Sequence, residues 1–308
     1  MAAPSHRTAN TYFEPLTDTG FKILFGRESS SDILIGFLNA VLDGDGHDPI
    51  VSITYLDREK TRERDDERTI HYDIHCETGC GRRFIVEMQN RQQVHFKKRT
   101  IFYASRAITE QGNQGDWDYN FMPVYVIAFT QFKLDDGNCE VREDVQLQDM
   151  KTGKQFSDAL RLIYIQLPNF GKDVDECKSD FDCWVYLMKH LKDMNTIPFV
   201  QNIFRRVDQV ARVENLSPED RRNYERDLKF VRDYKNSIQY AEIKAREEGV
   251  QEGIQKGIQK GIQKGIQKEQ ERVILSMAAK GFGADTIADI AGVTVPEVKS
   301  ILESSDGY

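Results

Sequence analysis

The sequence predicts an α/β core followed by a helical carboxy-terminal region. Three features point there. Two segments of alternating polarity flank a glycine-rich turn, a nearly continuous apolar run follows a helical segment, and helical periodicity takes over beyond about residue 176.

In chain order, Asp18 to Leu42 spaces Phe21, Ile23, Leu24, Phe25, Ile33, Leu34, Phe37, Leu38, Val41 and Leu42 as one or two helical segments would, with Gly26 to Ser31 as a candidate break. Ile50 to Leu56 is β-rich. Thr69 to Cys76 alternates Ile70, Tyr72 and Ile74 against His71, Asp73 and His75, which predicts a strand with one buried face. Arg82 to Gln89 repeats the pattern, with Phe84, Val86 and Met88 on one face and Arg83, Ile85, Glu87 and Gln89 on the other. Thr78-Gly79-Cys80-Gly81 between them supplies the glycines of a short hairpin loop. Phe96 to Gln111 is a helix ended by Gly112 to Gly115. Pro123 to Phe132 reads as a central strand and Arg161 to Leu167 as another. Asp180 to Lys192 and Asn195 to Asn236 read as helical, and Ser217-Pro218-Glu219 as an N-cap followed by proline in the first turn.

From Gly249 a low-complexity tract takes over, with four copies of Gly-Ile-Gln-Lys between Gly253 and Lys268. Four residues turn a helix by about 400°, so each stripe drifts by roughly 40° per repeat and a long straight coiled-coil seam is disfavoured. Each glycine costs ~1 kcal/mol against alanine in a helix. Two readings stand: a close helix crossing between protomers, or a solvated spacer. Glu271 to Lys280, Ala284 to Ala291 and Pro296 to Leu302 then form three short helical patterns with the outline of a helix-turn-helix. Its second helix offers Glu297, Lys299 and Glu303, a poor set for reading bases, so a small packing or protein-contact element is the alternative.

The chain has 308 residues, 39% apolar and 30% charged, enough for one core with appendages. No apolar run approaches the ~18 residues that cross a bilayer. Met1 to Asn10 lacks the basic flank and apolar stretch of a signal peptide, so a cytoplasmic protein without membrane contact is expected. The five cysteines, Cys76, Cys80, Cys139, Cys177 and Cys183, are irregularly spaced and read as reduced thiols. A net charge of −8 argues against broad adhesion to nucleic acid. Locally the balance reverses: Asn90 to Thr109 holds Arg91, Lys97, Lys98, Arg99 and Arg106 and no acid, as a segment facing a phosphate backbone would, with a solvated, charged helix face as the alternative.

Asp73 lies in one strand, and Glu87 and Gln89 lie one pleat apart in the next, so the three can converge on one sheet face. Two carboxylates with carbonyls and water suit Mg²⁺, with Mn²⁺ as an alternative, and phosphodiester hydrolysis needs such an ion. A solvated cross-strand pair is the plainer reading of two acids one hairpin apart. His71, His75, Cys76 and Cys80 fit no usual zinc module. No phosphate-cradling loop or dinucleotide fingerprint is present, which excludes the common nucleotide-hydrolase and oxidoreductase classes.

These residues sit in stretches that resemble the PD-(D/E)XK nuclease superfamily, and within it the transposase-like, recombination-promoting nucleases. The matching stretches are Pro15 to Gly26 (PLTDTGFKILFG), Phe37 to Leu42 (FLNAVL), Tyr72-Asp73-Ile74, Ile85-Val86-Glu87-Met88-Gln89 and Arg99 to Tyr103 (RTIFY), and the Gly-Ile-Gln-Lys tail resembles that family's ending. The resemblance implies a restriction-endonuclease-like three-layer α/β/α core with a mixed central sheet. It implies that Asp73 and Glu87 ligate the metal, that Asp18 completes or orients the site, and that Arg99 and Tyr103 contact the scissile phosphate, with Arg91, Lys97 and Lys98 nearby. Gln89 stands where the superfamily has a lysine, so weak activity or none is a rival expectation. The expected organisation is a nuclease core at 10–175, a helical extension at 176–240, the repeat at 241–270 and a small helical tail at 271–308. The expected function is Mg²⁺-dependent DNA endonuclease, in recombination or mobile-element processing, self-associating through the repeat. The alternative is an inactive nuclease-fold module for DNA binding or assembly.

Overall fold

The computed structural model describes residues 10–305 apart from 45, 47, 57–58, 61–69 and 113–117. The amino-terminal residues 1–9, Thr69, most of the Gly112 to Gly115 break and the side chain of His71 lie outside the described residues. The chain forms two compact units, Met1–Phe230 and Val231–Tyr308.

In the first unit, α1 (Asp18–Phe25) and α2 (Ser31–Leu42) are separate helices, interrupted at the expected place by a short 3-10 turn at Glu28–Ser30. Thr17 caps α1, its hydroxyl accepting the Gly20 N–H at 3.0 Å. Strands follow at Ile53–Tyr55 (β1), Glu59–Lys60 (β2), Ile70–His71 (β3), Ile74–Thr78 (β4) and Arg83–Gln89 (β5), then helix α3 (Phe96–Thr109) and strands β6 (Val124–Thr130), β7 (Arg142–Gln148) and β8 (Gln155–Gln166). The main sheet has six strands in the order β1-β4-β5-β6-β8-β7. The central strands β5, β6 and β8 run parallel, and β1, β4 and β7 pair antiparallel with their neighbours. This is the expected three-layer α/β/α class with a mixed sheet.

Strand alternation sends Phe84, Val86, Tyr125, Ile127, Phe129, Ile163 and Ile165 to one face and Ile85, Val124, Val126, Ala128, Leu162 and Tyr164 to the other. The first face is covered by α1, α2, α4 (Asp180–His190) and α5 (Asn202–Ala211), the second by Phe96, Ala104 and Ala107 of α3. Helices α4 and α5 thus complete the same core as α1 and α2. Trp184 of α4 packs against Phe25, Phe37 and Phe204, with ring centroids 5.8, 5.8 and 5.3 Å away.

Two readings need correction. The segment Tyr72 to Ile74 is no continuous strand with one buried face: the backbone breaks at Tyr72 and Asp73, so Tyr72 packs on the α3 side and Ile74 on the opposite side. Residues Met194 to Gln201 are not helical, because Pro198 forces extended backbone ahead of α5. Strand β7 was not anticipated at all. It is an exposed edge, so no buried face writes itself into the sequence, and Asp144 holds it by pairing with Arg142 at 2.6 Å and Arg161 at 2.7 Å.

Helix α6 (Pro218–Ala279) begins as expected, Ser217 Oγ accepting the Asp220 N–H at 3.1 Å. In the first unit its opening turns dock through Tyr224, whose hydroxyl accepts the Glu14 N–H at 2.8 Å. In the second unit the repeat is helical throughout and wholly exposed. Ile254, Ile258, Ile262 and Ile266 are 54–58% accessible, and a Cβ on any of the repeat glycines would meet nothing within 4 Å. The second unit ends in a small core where Ile274 meets Ile287 and Ala288 of α7 (Ala284–Ala291) and Val298 of α8 (Val295–Ser305). Gly292 makes the turn between α7 and α8 at φ 66°, a left-handed conformation that glycine adopts without strain. Among the described residues no helix is long and apolar enough to cross a membrane.

Because α4 seals the core, Trp184→Ala is expected to cost about 3–5 kcal/mol of unfolding free energy, as large aromatic truncations do. Urea denaturation followed by tyrosine fluorescence and circular dichroism checks this.

Candidate active site

The hairpin β4–β5, with Asp73 just ahead of β4, places the candidate acids Asp73 and Glu87. Gly81, at φ 86°, closes its turn, with Thr78 N–H donating to the Arg82 carbonyl at 2.9 Å. The register Ile74↔Val86 brings Asp73 opposite Glu87 just where backbone pairing stops. There side chains replace the ladder: the Asp73 N–H donates to Glu87 Oε1 at 3.2 Å, and the Met88 N–H donates to Asp73 Oδ2 at 2.9 Å. Each carboxylate is thus oriented by backbone of the other strand. Among the described residues, the second oxygen of each receives no donor.

Glu87 is buried and Asp73 half-buried on the α3 side of the sheet. Burial raises Glu87 well above the ordinary carboxylate value, and the adjacent Asp73 charge raises it further. Burial also raises Asp73. Asp18 adds to that rise, while the Met88 N–H, Lys22 and Arg99 oppose it. Two carboxylates held close together, each oriented by backbone of the opposite strand, form a hard oxygen donor set of the kind a divalent ion suits. Among the described residues, no three His, Cys, Asp or Glu side chains gather as a metal-binding group.

The other expected residues divide. Gln89 follows Glu87 on the same face, buried, with both ends of its amide engaged. Its Oε1 accepts from Arg99 Nη2 at 2.5 Å and its Nε2 donates to the Arg91 carbonyl at 2.9 Å. Arg99 reaches over from α3, also donating to Gln93 at 2.7 Å, and lies 5.7 Å from the Tyr103 ring. Its charge is felt by both Asp73 and Glu87. Burial raises the Tyr103 hydroxyl, and the Glu87 charge adds to it. Asp18 lies on α1, largely exposed and paired with Lys22 at 2.8 Å, and reaches the centre through its charge on Asp73. Lys97 pairs with Asp135 at 2.5 Å, Lys98 is exposed, and Arg91 stacks 4.5 Å over the Phe230 ring. Sequence reasoning gave no sign of the Gln89–Arg99 bond, because ten residues of loop and helix separate the partners.

Residues 15–241 match the model of the family described as PD-(D/E)XK nuclease family transposase. No curated protein and no solved structure matches the chain.

A carboxyl whose folded pKa is raised binds its proton more tightly folded than unfolded, so it erodes stability as pH rises from its ordinary value, 4.5 for Glu87, toward the raised one. In metal-free buffer Glu87→Gln is therefore expected to be more stable than wild type at pH 8 and to lose that advantage near pH 4. Paired urea titrations at the two pH values measure it. An equal difference at both would contradict the electrostatic reading.

Proposed function

The chain belongs to the PD-(D/E)XK nuclease family transposases, and from that membership we propose that it is a Mg²⁺-dependent DNA endonuclease acting in recombination or mobile-element processing. The observation that carries the reading is the close Asp73–Glu87 pair, each acid oriented by backbone of the opposite strand and raised by burial. Asp73 and Glu87 would hold Mg²⁺ or Mn²⁺. When bound, such an ion activates water and stabilises charge on phosphate oxygens.

The remaining residues prepare the substrate side. Gln89 anchors Arg99, whose charge acts on both carboxylates and which would contact a substrate phosphate beside them. Arg91, Lys97 and Lys98 extend positive charge along the same segment and suit a polyanion. Asp18 would orient the centre through its charge. Tyr103, its ring 5.7 Å from the Arg99 guanidinium, would contact the scissile phosphate beside it. Gln89 also favours a second reading, an inactive nuclease-fold module that binds DNA or assembles, because the strand itself supplies no cation at that position. For self-association we propose a second copy on the repeat, whose isoleucine and glycine stripes are uncovered within their unit.

Supercoiled plasmid with Mg²⁺ is expected to be cut by wild type and spared with chelator. Asp73→Asn and Glu87→Gln are expected to lose activity by about 10²–10³-fold or more, the scale of losing one preorganised electrostatic contact. Gln89→Ala should slow cutting by releasing Arg99. Retarded but uncut plasmid for wild type in Mg²⁺ and in Mn²⁺ would favour the inactive module. In sedimentation velocity, a chain ending at Tyr240 is expected to be monomeric where the full chain associates, and equal association states would refute assembly through the repeat.

A further inference from the structure

The far end of the β4–β5 hairpin holds a second reactive group, one the phosphodiesterase reading does not use. Cys80 stands exposed in the turn Thr78 to Gly81. Its Sγ lies 3.2 Å from Thr78 Oγ1 and accepts the Arg82 Nε–H at 3.3 Å. Arg82 is no surface side chain: it is 8% exposed, and its Nη2 is anchored on the Asp48 carbonyl at 3.2 Å. Its Nη1 is buried and finds no acceptor among the described residues. Thiol and guanidinium line one cleft of about 310 Å³, walled on the opposite side by Asp48 to Ser52. Roughly 17 Å of strand, at ~3.3 Å per residue, separates Arg82 from Glu87, so this is a distinct place on the molecule.

A buried guanidinium with a donor that meets no acceptor among the described residues calls for an anion, and a sulfur beside it is well placed to supply one by ionising. The Thr78 and Arg82 hydrogen bonds lower the Cys80 thiol to about 7, so much of it is thiolate at neutral pH. The other thiols differ. Burial pushes Cys76 up to about 12 and Cys183 up to about 11, and it raises Cys177. Cys139 is exposed like Cys80 but receives no hydrogen bond on sulfur among the described residues, which makes it an internal control for exposure alone.

We propose that Cys80 is a thiol–disulfide exchange site for a small anionic disulfide, whose carboxylate is drawn to Arg82 while its sulfur meets Sγ. The Cys80 thiolate attacks one sulfur of the small disulfide, that S–S bond breaks, and a new S–S bond joins Cys80 to one half. The other half leaves as a thiolate and takes a proton from water. Cys80 is oxidised and the departing half is reduced, so the small disulfide is itself the oxidant. The adduct fills the cleft between the hairpin turn and Asp48 to Ser52.

The test uses the reduced full-length protein at neutral pH with two probes, glutathione disulfide, which carries net negative charge, and cystamine, which carries positive charge. Peptide mapping by mass spectrometry follows mixed-disulfide formation at Cys80 and Cys139 over time. With glutathione disulfide, Cys80 is expected to react about tenfold faster than Cys139, the gain a lowered thiol brings at neutral pH. With cystamine that preference should shrink, because Arg82 repels a cation. Equal rates at the two cysteines would mean an exposed thiol only and overturn the proposal. An equal preference with both probes would overturn it too, by removing the role of Arg82.

Discussion

The centre depends on a substitution of side chain for backbone. In an antiparallel hairpin the ladder would continue past Ile74 and Val86, satisfying N–H groups with carbonyls. Here it stops one residue early, and the N–H groups of Asp73 and Met88 are taken by the Glu87 and Asp73 carboxylates. Each acid is thereby fixed without a positively charged partner of its own. A neutral hydrogen-bonded strand pair would be more stable in the apo state, but it would leave no oxygens free for a cation. The local loss of pairing and the electrostatic strain of two close acids are one feature seen from two sides.

That arrangement is tolerable because of what surrounds it. The parallel strands β5, β6 and β8 are covered on both faces, so the hairpin cannot relax by moving Glu87 into water. The aromatic cluster of Phe21, Phe25, Phe37, Phe129 and Trp184 fixes the opposite face. The packed core thereby holds the two carboxylates rigidly from the far side of the sheet.

Much of this was legible in the residues. The alternation of Phe84, Val86 and Met88 against Ile85, Glu87 and Gln89 gave β5 and the side its acids face. Gly79 and Gly81 gave the turn, and Ser217-Pro218 gave the start of α6. What was not legible has a common cause. The break at Asp73 follows from side-chain bonds to the partner strand, and a period-two pattern cannot show where pairing ends. Strand β7 is an exposed edge held by the Arg142–Asp144–Arg161 pairs, so it lacks the apolar signature by which strands are found. The helical state of the glycine-rich repeat runs against local propensity, and nothing in the order of its residues settles that contest.

At Gln89 the positive charge beside the acids comes from a different element than the strand that carries them. A lysine on the strand would carry donor and charge on one side chain. Here the strand contributes a neutral amide, and its oxygen accepts the Arg99 guanidinium from α3. The geometry then hinges on the docking of α3, which rests on Phe96, Ala104 and Ala107 against the sheet and on the 2.6 Å hydrogen bond between the Thr100 and Tyr164 hydroxyls. The small side chains of Ala104 and Ala107 let the helix approach closely, and that approach brings Arg99 within reach of the strand. An arginine does not lose its proton under such conditions, whereas a lysine buried beside a bound metal could. The amide–guanidinium pair therefore keeps a permanent charge beside the acids, at the cost of making the site depend on how the helix packs.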